Sequence, residues 1–373
     1  MTLRRSATSL TDLLAKEELA HDDLVAILRT EEPADLDRIR AAAFAVAERQ
    51  VGPKVYYRGL LEFSNRCRSD CLYCGIRKSN AKVERYTLSE EEIVAVALRC
   101  AEAGYGSLML QSGERRDEAF IAFLERVVGR IKGETRSEAL PNGLGLSLCV
   151  GEQSRDVYER LRAAGAHRYL LRIETSSPEI FARLHPCGQS FEERVACIDS
   201  LGDLGYLVGS GVMIGLPGQS VDDLANDILF LRDHRIDMVG MGPYIPHTDT
   251  PMAGYATEYA SRRREQLHLT LKMIAAVRLA LPDVNIAATT ALQAIHPFGR
   301  EWGIRFGANI VMPLVTPASV RKSYRLYDGK PCLDDAEGAC LGCLSDRVAT
   351  AGREVGVNEW GDAPHWMRSR EAP

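Results

Sequence analysis

Cys67, Cys71 and Cys74 share one run, Glu62-Phe63-Ser64-Asn65-Arg66-Cys67-Arg68-Ser69-Asp70-Cys71-Leu72-Tyr73-Cys74-Gly75. Thiolates are the protein ligands of iron–sulfur clusters, and a cubane has four irons to ligate. Three thiols in the pattern C-x3-C-x2-C wrap three corners from one short loop, with no fourth cysteine close by. The fourth iron of such a cluster stays open to something other than protein, and an open position marks a reactive metal rather than a structural one. The plainer readings are a zinc knuckle, or an electron-transfer cluster completed from elsewhere by Cys100, Cys149, Cys187 or Cys197. Zinc ribbons usually carry two CxxC pairs, which favours the reactive cluster.

Such a loop needs a scaffold, and 373 residues suffice for one large α/β barrel or two ordinary domains. From Val55 onward, short β-rich runs alternate with helical patterns, which predicts a parallel sheet with helical crossovers. Strands are expected at 55–63, 106–111, 143–149, 167–173, 206–213, 237–242, 284–290 and 308–312. Helix starts are signalled by the capping-box pattern Ser89-x-x-Glu92, by Ser177-Pro178 and by Ser220-x-x-Asp223. These units predict a closed (β/α)8 TIM-type barrel, a fold whose chemistry sits at the C-terminal ends of the strands. An open doubly wound sheet lacks support, because no GxGxxG follows the first strand and there is no Walker loop. Residues 1–53 read as an N-terminal helical cap, with helices at Asp12–Leu19, Asp22–Arg29 and Asp35–Gln50 ended by Gly52-Pro53. Residues 54–315 read as the barrel, with a polar surface insertion at 133–142, and 316–373 as a C-terminal extension.

Charge narrows the function classes. With 46 basic against 51 acidic residues and no long basic run, a nucleic-acid groove is not expected. No apolar run reaches membrane-spanning length and no signal-peptide core opens the chain, so a soluble, cytoplasmic protein without a membrane partner is expected. Ten cysteines in that setting point to metal or redox chemistry before disulfides. Cys100 and Cys197 fall inside helical patterns and read as small buried hydrophobes.

The strand ends carry polar residues that a plain core would not want. Strand two runs into Gln111-Ser112-Gly113-Glu114, in a core only a turn with a solvated acid. Alternation along strand four puts Arg168, Leu170, Arg172 and Glu174 on one face. Three charges there are either an internal ion-pair network or a ligand site, since burying them unpaired costs several kcal/mol each. Arg194 stands on the next helix. Strand five runs into Gly211-Val212-Met213-Ile214-Gly215-Leu216-Pro217-Gly218, by itself a mere turn. Thr289-Thr290 close strand seven and Met312 closes strand eight. Beyond them come Tyr324, Tyr327 and Cys332-x7-Cys340-x2-Cys343, read as a second iron–sulfur site, a zinc site or idle thiols.

C-x3-C-x2-C with an aromatic before the last cysteine resembles the radical S-adenosylmethionine (SAM) enzymes. That resemblance implies a [4Fe-4S] cluster with one open iron, which binds the amino and carboxylate groups of SAM, and reductive cleavage of SAM to a 5'-deoxyadenosyl radical. The stretches Leu61–Asn65, Leu110–Glu114, Arg168–Thr175, Met238–Pro251, Ala288–Ala291 and Ala308–Pro313 are similar to the HydE-type maturases of [FeFe]-hydrogenase, with biotin synthase and methylornithine synthase as relatives. The likeness implies that Cys67, Cys71 and Cys74 bind the cluster, and that Tyr73, Ser112, Glu114, Ser147, Arg168, Glu174 and Arg194 contact SAM. The glycines from Gly211 to Gly218 would flank adenine. Arg172, Thr289, Thr290, Met312, Tyr324 and Tyr327 would line a substrate cavity, and Cys332, Cys340 and Cys343 would hold a second cluster, [2Fe-2S] or [4Fe-4S]. Implied partners are a small or organometallic substrate derived from cysteine, a ferredoxin- or flavodoxin-type electron donor and the other hydrogenase maturases. Cys149 departs from the serine frequent at that position. The rival expectations are a methylornithine-synthase-like mutase, a biotin-synthase-like sulfur inserter and a non-catalytic iron–sulfur protein.

Overall fold

The structure, a computed structural model, describes residues 9–185, 188–334 and 339–371, with the side chains of 339–343 and 369–371 left out. Its strands, in chain order, are β1 (Lys54–Ser64), β2 (Ser107–Ser112), β3 (Gly145–Cys149), β4 (Arg168–Leu170), β5 (Leu207–Ser210), β6 (Met213–Ile214), β7 (Met238–Val239), β8 (Gly242–Pro243), β9 (Asn285–Ala288), β10 (Ile310–Val311) and β11 (Glu354–Gly356). Eight of them, β1 to β5, β7, β9 and β10, pair in parallel, and β10 returns to pair with β1, which closes the barrel. Side chains alternate between the two walls. Leu108, Leu110, Leu146, Leu148, Tyr169, Leu171 and Val208 pack outward in the large core shared with the helices. Leu60, Met109, Leu170, Leu207, Met238 and Leu314 fill the inside.

The fifth and sixth units interrupt their pairing and resume it one step later, as β6 with β8. Gly211 explains the break: a Cβ there would sit 2.0 Å from the Gly240 carbonyl oxygen. The two chains touch backbone to backbone at that point, so Gly211 answers an intramolecular contact before any ligand. Gly215 has φ of +81°, and Gln219 Oε1 accepts its N–H and that of Leu216 at 2.8 and 3.1 Å, fixing the turn.

Two features differ from the periodicity reading. The first helix is short, Leu10–Leu14, because Asp23 draws the next stretch into a cap: its carboxylate takes Lys16 Nζ at 2.6 Å and the Ala20 N–H at 3.1 Å. The helices His21–Arg29 and Pro33–Val51 lie against the outer helices Val221–Asp233 and Ala256–Ala280, flanking the barrel rather than covering an end. At the other terminus, β11 pairs with Lys54–Tyr56, on the edge of β1 that β2, which starts opposite Arg58, leaves free. The segment after it turns under the barrel and places Ala363 in the interior cluster.

Candidate active site

β1 ends at Ser64 and the chain enters a long irregular loop that carries the three cysteines. Its backbone is held from outside by main-chain bonds: Arg68 N–H to Glu114 O (2.9 Å), Leu72 N–H to Leu184 O (2.9 Å) and Gly75 N–H to Leu326 O (3.0 Å). It is held from within by Arg85, whose guanidinium donates to the carbonyls of Asn65, Ile76 and Arg77 at 2.6 to 2.7 Å. Sequence reasoning passed over Arg85, since nothing local marks an arginine that binds backbone. Gly113 lets the β2 loop reach the cysteines, for a Cβ there would lie 2.5 Å from Arg66 O and 2.7 Å from Cys67 Cβ.

The thiols are half-buried. Cys67 Sγ accepts the Glu114 N–H at 3.3 Å, and Cys71 Sγ lies 3.4 Å from Gln189 Oε1. Burial, then the neighbouring Cys67, pushes the Cys71 thiol up to about 12, with Arg194 opposing and Glu174 adding. Burial and the other two thiols push Cys74 up as well. The three cysteines therefore lie together, Cys71 and Cys74 within electrostatic reach of Glu174, Cys71 also of Arg194, and Cys67 of Glu114. Thiols that resist ionising alone are ones a metal's positive charge would hold deprotonated, and the N–H aimed at Cys67 suits a ligating sulfur. Among the described residues no three His, Cys, Asp or Glu side chains converge on a position for a single ion; a cubane takes one thiolate per iron and needs no such convergence.

Around the thiols, four strand ends are tied into one frame. Glu174 stands at a positive φ of 67°, held by its N–H to Gly211 O and its carbonyl to Met213 N–H; its carboxylate meets Arg172 at 3.0 Å. Arg172 also donates to Val212 O. Arg194 lies between Glu152, which its Nε contacts, and Arg172 O, at 2.6 Å from Nη1. Glu152 is 1% exposed. It also pairs with Arg116 at 2.7 Å and gives its N–H to Glu114 Oε2 at 3.1 Å. Burial, then repulsion from Glu152, raises the Glu114 carboxyl. Sequence reasoning missed Glu152, whose only local signal is its place just after β3. Tyr73 is anchored by His185: Nδ1 faces the Phe181 carbonyl at 3.0 Å and so carries the proton, leaving Nε2 to accept from Tyr73 Oη at 3.1 Å. Ser112 precedes Gly113, which abuts Cys67, but its Oγ turns to Gly113 O and is engaged with backbone.

Two expected SAM contacts lie elsewhere. Arg168 starts β4, at the N-terminal end of the barrel, where it meets Asp362 at 2.5 Å, Ser107 Oγ at 3.0 Å and Trp360 O at 2.7 Å. It anchors the terminal segment instead of facing the thiols. Ser147 is paired in register with Arg168, deep in the barrel wall, its Oγ buried without a partner among the described residues. Alternation had put Arg168 on the correct wall and at the wrong depth.

The interior between the thiols and the segment bearing Tyr324 and Lys330 is polar on one side. Glu62 and Lys330, both buried, pair at 2.5 Å, and Lys330 also donates to Tyr324 O. Gln111 Nε2 donates to Tyr324 Oη at 3.3 Å. Tyr327, whose hydroxyl burial pushes up, lies beside Thr290, and Thr289 Oγ1 is buried without a partner among the described residues. Met312, Cys149 and Cys332 pack against the apolar interior, and burial pushes the Cys149 thiol up to about 12. Glu62, Gln111 and Lys330 were not singled out in sequence. Cys340 and Cys343 fall in the helix Ala339–Thr350, and their side chains lie outside the described residues.

Residues 61–231 match the family model of the Radical SAM superfamily. The chain is 43% identical to the [FeFe] hydrogenase maturase subunit HydE of Thermotoga maritima over 316 residues, which covers 85% of this chain and 86% of that one. It is 29% identical to 3-methylornithine synthase of Methanosarcina barkeri, over 83% and 84% of the two chains. Among solved structures, methylornithine synthase (PylB) superposes with a TM-score of 0.76 over 94% of this chain and 98% of that one at 23% identity. The hydrogenase maturase HydG of Carboxydothermus hydrogenoformans does so with 0.74, over 92% and 78%, at 20% identity. These last two likenesses bear on the fold. With a C-x3-C-x2-C loop at the mouth of a closed parallel barrel and that identity across most of its length, the chain belongs to the HydE family of radical SAM enzymes, which cleave SAM reductively.

Proposed function

We propose that this enzyme acts in [FeFe]-hydrogenase maturation, on a small cysteine-derived iron complex held inside the barrel. Carrying this reading is the convergence, at one mouth, of Cys67 with Glu114, of Cys71 and Cys74 with Glu174, and of Cys71 with Arg194. Cys67, Cys71 and Cys74 hold a [4Fe-4S] cluster whose open iron takes SAM, and that pair supplies a 5'-deoxyadenosyl radical. Glu114, Glu174, Arg194 and Tyr73 orient the methionine end and sugar of SAM. The guanidinium of Arg172, the unpaired Thr289 hydroxyl, Thr290, Met312, Tyr324 and Tyr327 face the substrate, and an orphaned buried hydroxyl is satisfied when a ligand supplies its partner. The electron comes from a ferredoxin- or flavodoxin-type donor. The higher identity to HydE than to the 3-methylornithine synthases favours the maturase over the mutase. A second cluster on Cys332, Cys340 and Cys343 is part of this proposal, dispensable for the chemistry, as is a cytoplasmic location; no helix among the described residues is long and apolar enough to cross a membrane.

Anaerobically reconstituted protein with dithionite and SAM is expected to release 5'-deoxyadenosine, and Cys74→Ala to release none. Parental release by Cys74→Ala would sink the radical reading. Failure to restore hydrogenase activity in a cell lacking its own maturase, with SAM cleavage intact, would move the substrate to the mutase class.

A further inference from the structure

We infer that the outer face of the cysteine loop is the docking surface for a small acidic protein that carries single electrons. This rests on the radical SAM reading of the same site, and adds where its electron enters and what charge the carrier must have.

Residues 65–82 hold five basic residues, Arg66, Arg68, Arg77, Lys78 and Lys82, against one acidic residue, Asp70, in a chain whose net charge is −5. Arg77 is spent on Asp70 at 2.6 Å and Lys82 on Asp249 at 2.5 Å. Arg66, Arg68 and Lys78 are exposed and have no ion-pair partner among the described residues. Two more exposed cations, also without an ion-pair partner among the described residues, join them from other parts of the chain. Arg183 neighbours Leu184, whose carbonyl holds Leu72, and Arg325 neighbours Leu326, whose carbonyl holds Gly75. Five exposed cations without an ion-pair partner among the described residues thus lie on and beside the cysteine loop of an otherwise acidic molecule.

Position argues the same way as charge. Around Cys67 the exposure runs exposed, half-buried, exposed across Arg66, Cys67 and Arg68, so a partner resting on those arginines is one residue from a ligating sulfur. The opposite end of the barrel is plugged by Trp360 to Ala363, and the inner mouth is crossed by the segment that bears Tyr324 and Lys330. A carrier surface rich in carboxylates would be steered to these cations, and such steering speeds association while adding little to final affinity. The carrier loses one electron and the cluster gains it, with no bond or proton exchanged.

The test uses the full reconstituted chain and a photoreduced flavodoxin of acidic isoelectric point, with excess dithionite, a small reductant that needs no docking surface, as the control at fixed salt. Arg66→Glu/Arg68→Glu/Lys78→Glu is expected to lower flavodoxin-driven 5'-deoxyadenosine formation by at least roughly tenfold at low salt. Its dithionite-driven rate should match the parent's. In the parent, the flavodoxin rate should fall as salt rises from roughly 20 to 300 mM, where the screening length shortens from roughly 20 to about 6 Å, and in the variant that dependence should flatten. An unchanged flavodoxin rate in the variant, or a salt-independent parent, overturns the docking surface. No product from the parent with dithionite would instead overturn the radical SAM reading beneath it. If the triple variant fails to load its cluster, Arg183→Glu/Arg325→Glu, off the cysteine loop, carries the same expectation.

Discussion

Glu152 shows how one buried carboxylate can govern a site without touching its ligand. It neutralises Arg194, pairs with Arg116 and spends its own N–H on Glu114, so the ends of β2 and β3 and the helix Phe191–Asp203 share one counter-charge. Glu152→Gln keeps the shape and removes the charge that holds Arg194, and is expected to weaken SAM binding by roughly tenfold, about 1.4 kcal/mol. Equilibrium binding of SAM to the reconstituted protein checks this, and an unaltered affinity would take Glu152 out of the frame. His185 makes a second prediction. A free histidine titrates near pH 6.5; burial, then Arg194, pushes His185 down to about 3, and burial, then Arg168, pushes His167 down to about 4. Between those values and 6.5 the unfolded chain binds protons that the folded chain refuses, so stability declines as pH drops below 6.5. In the apo protein, His185→Gln should show a shallower loss of Tm between pH 6.5 and 5 than the parent. An identical slope would assign the acid response to other groups.

Elements meet here through glycines as much as through side chains. The β2 loop touches the cysteine loop because Gly113 has no Cβ, and a methyl group there would meet the Arg66 backbone and Cys67 Cβ, which is fixed to its own backbone, so neither can swing aside. Gly113→Ala should therefore displace the cysteine loop and lower the iron content after reconstitution. Gly129→Ala, in the helix Glu118–Glu134 with open space around it, should leave iron content unchanged and add roughly 0.5–1 kcal/mol of stability. Equal iron content in the two variants would show that the loop tolerates the shift. Much of this level is legible beforehand: the capping boxes at Ser89 and Ser220 form as their spacing requires. The breaks in the strands at Gly211 and Gly240 were not, because a contact between two glycines of different units leaves no periodic trace.

Across the whole molecule, the segment Trp360 to Ala363 closes the barrel floor. Asp362 lies against Arg168 and His167, and against the effect of burial these two hold its carboxyl well below the usual range. Arg58 donates to Gly361 O in the same plug. Asp362→Ala leaves Arg168 buried without its counter-charge, a loss that typically costs about 3–5 kcal/mol. Denaturant unfolding of the apo protein is the measurement, and a change under about 1 kcal/mol would mean that water replaces the carboxylate at the floor. The same plug leaves the mouth, at the C-terminal ends of the strands, as the end of the barrel where the cysteine loop lies.

Local spacing and period determined the three-thiol loop and the closed parallel barrel, because three thiols on one loop and a two-residue alternation are complete within a few residues of each other. Tertiary structure decided the rest. Alternation tells which wall a side chain faces and says nothing of its height along the barrel axis, so Arg168 and Glu174, six residues apart, were read as one site and lie at opposite ends. Counter-charges come from far along the chain, Asp362 to Arg168 across 194 positions and Lys330 to Glu62 across 268. A buried charge requires a partner but does not say which, and only the folded chain names it.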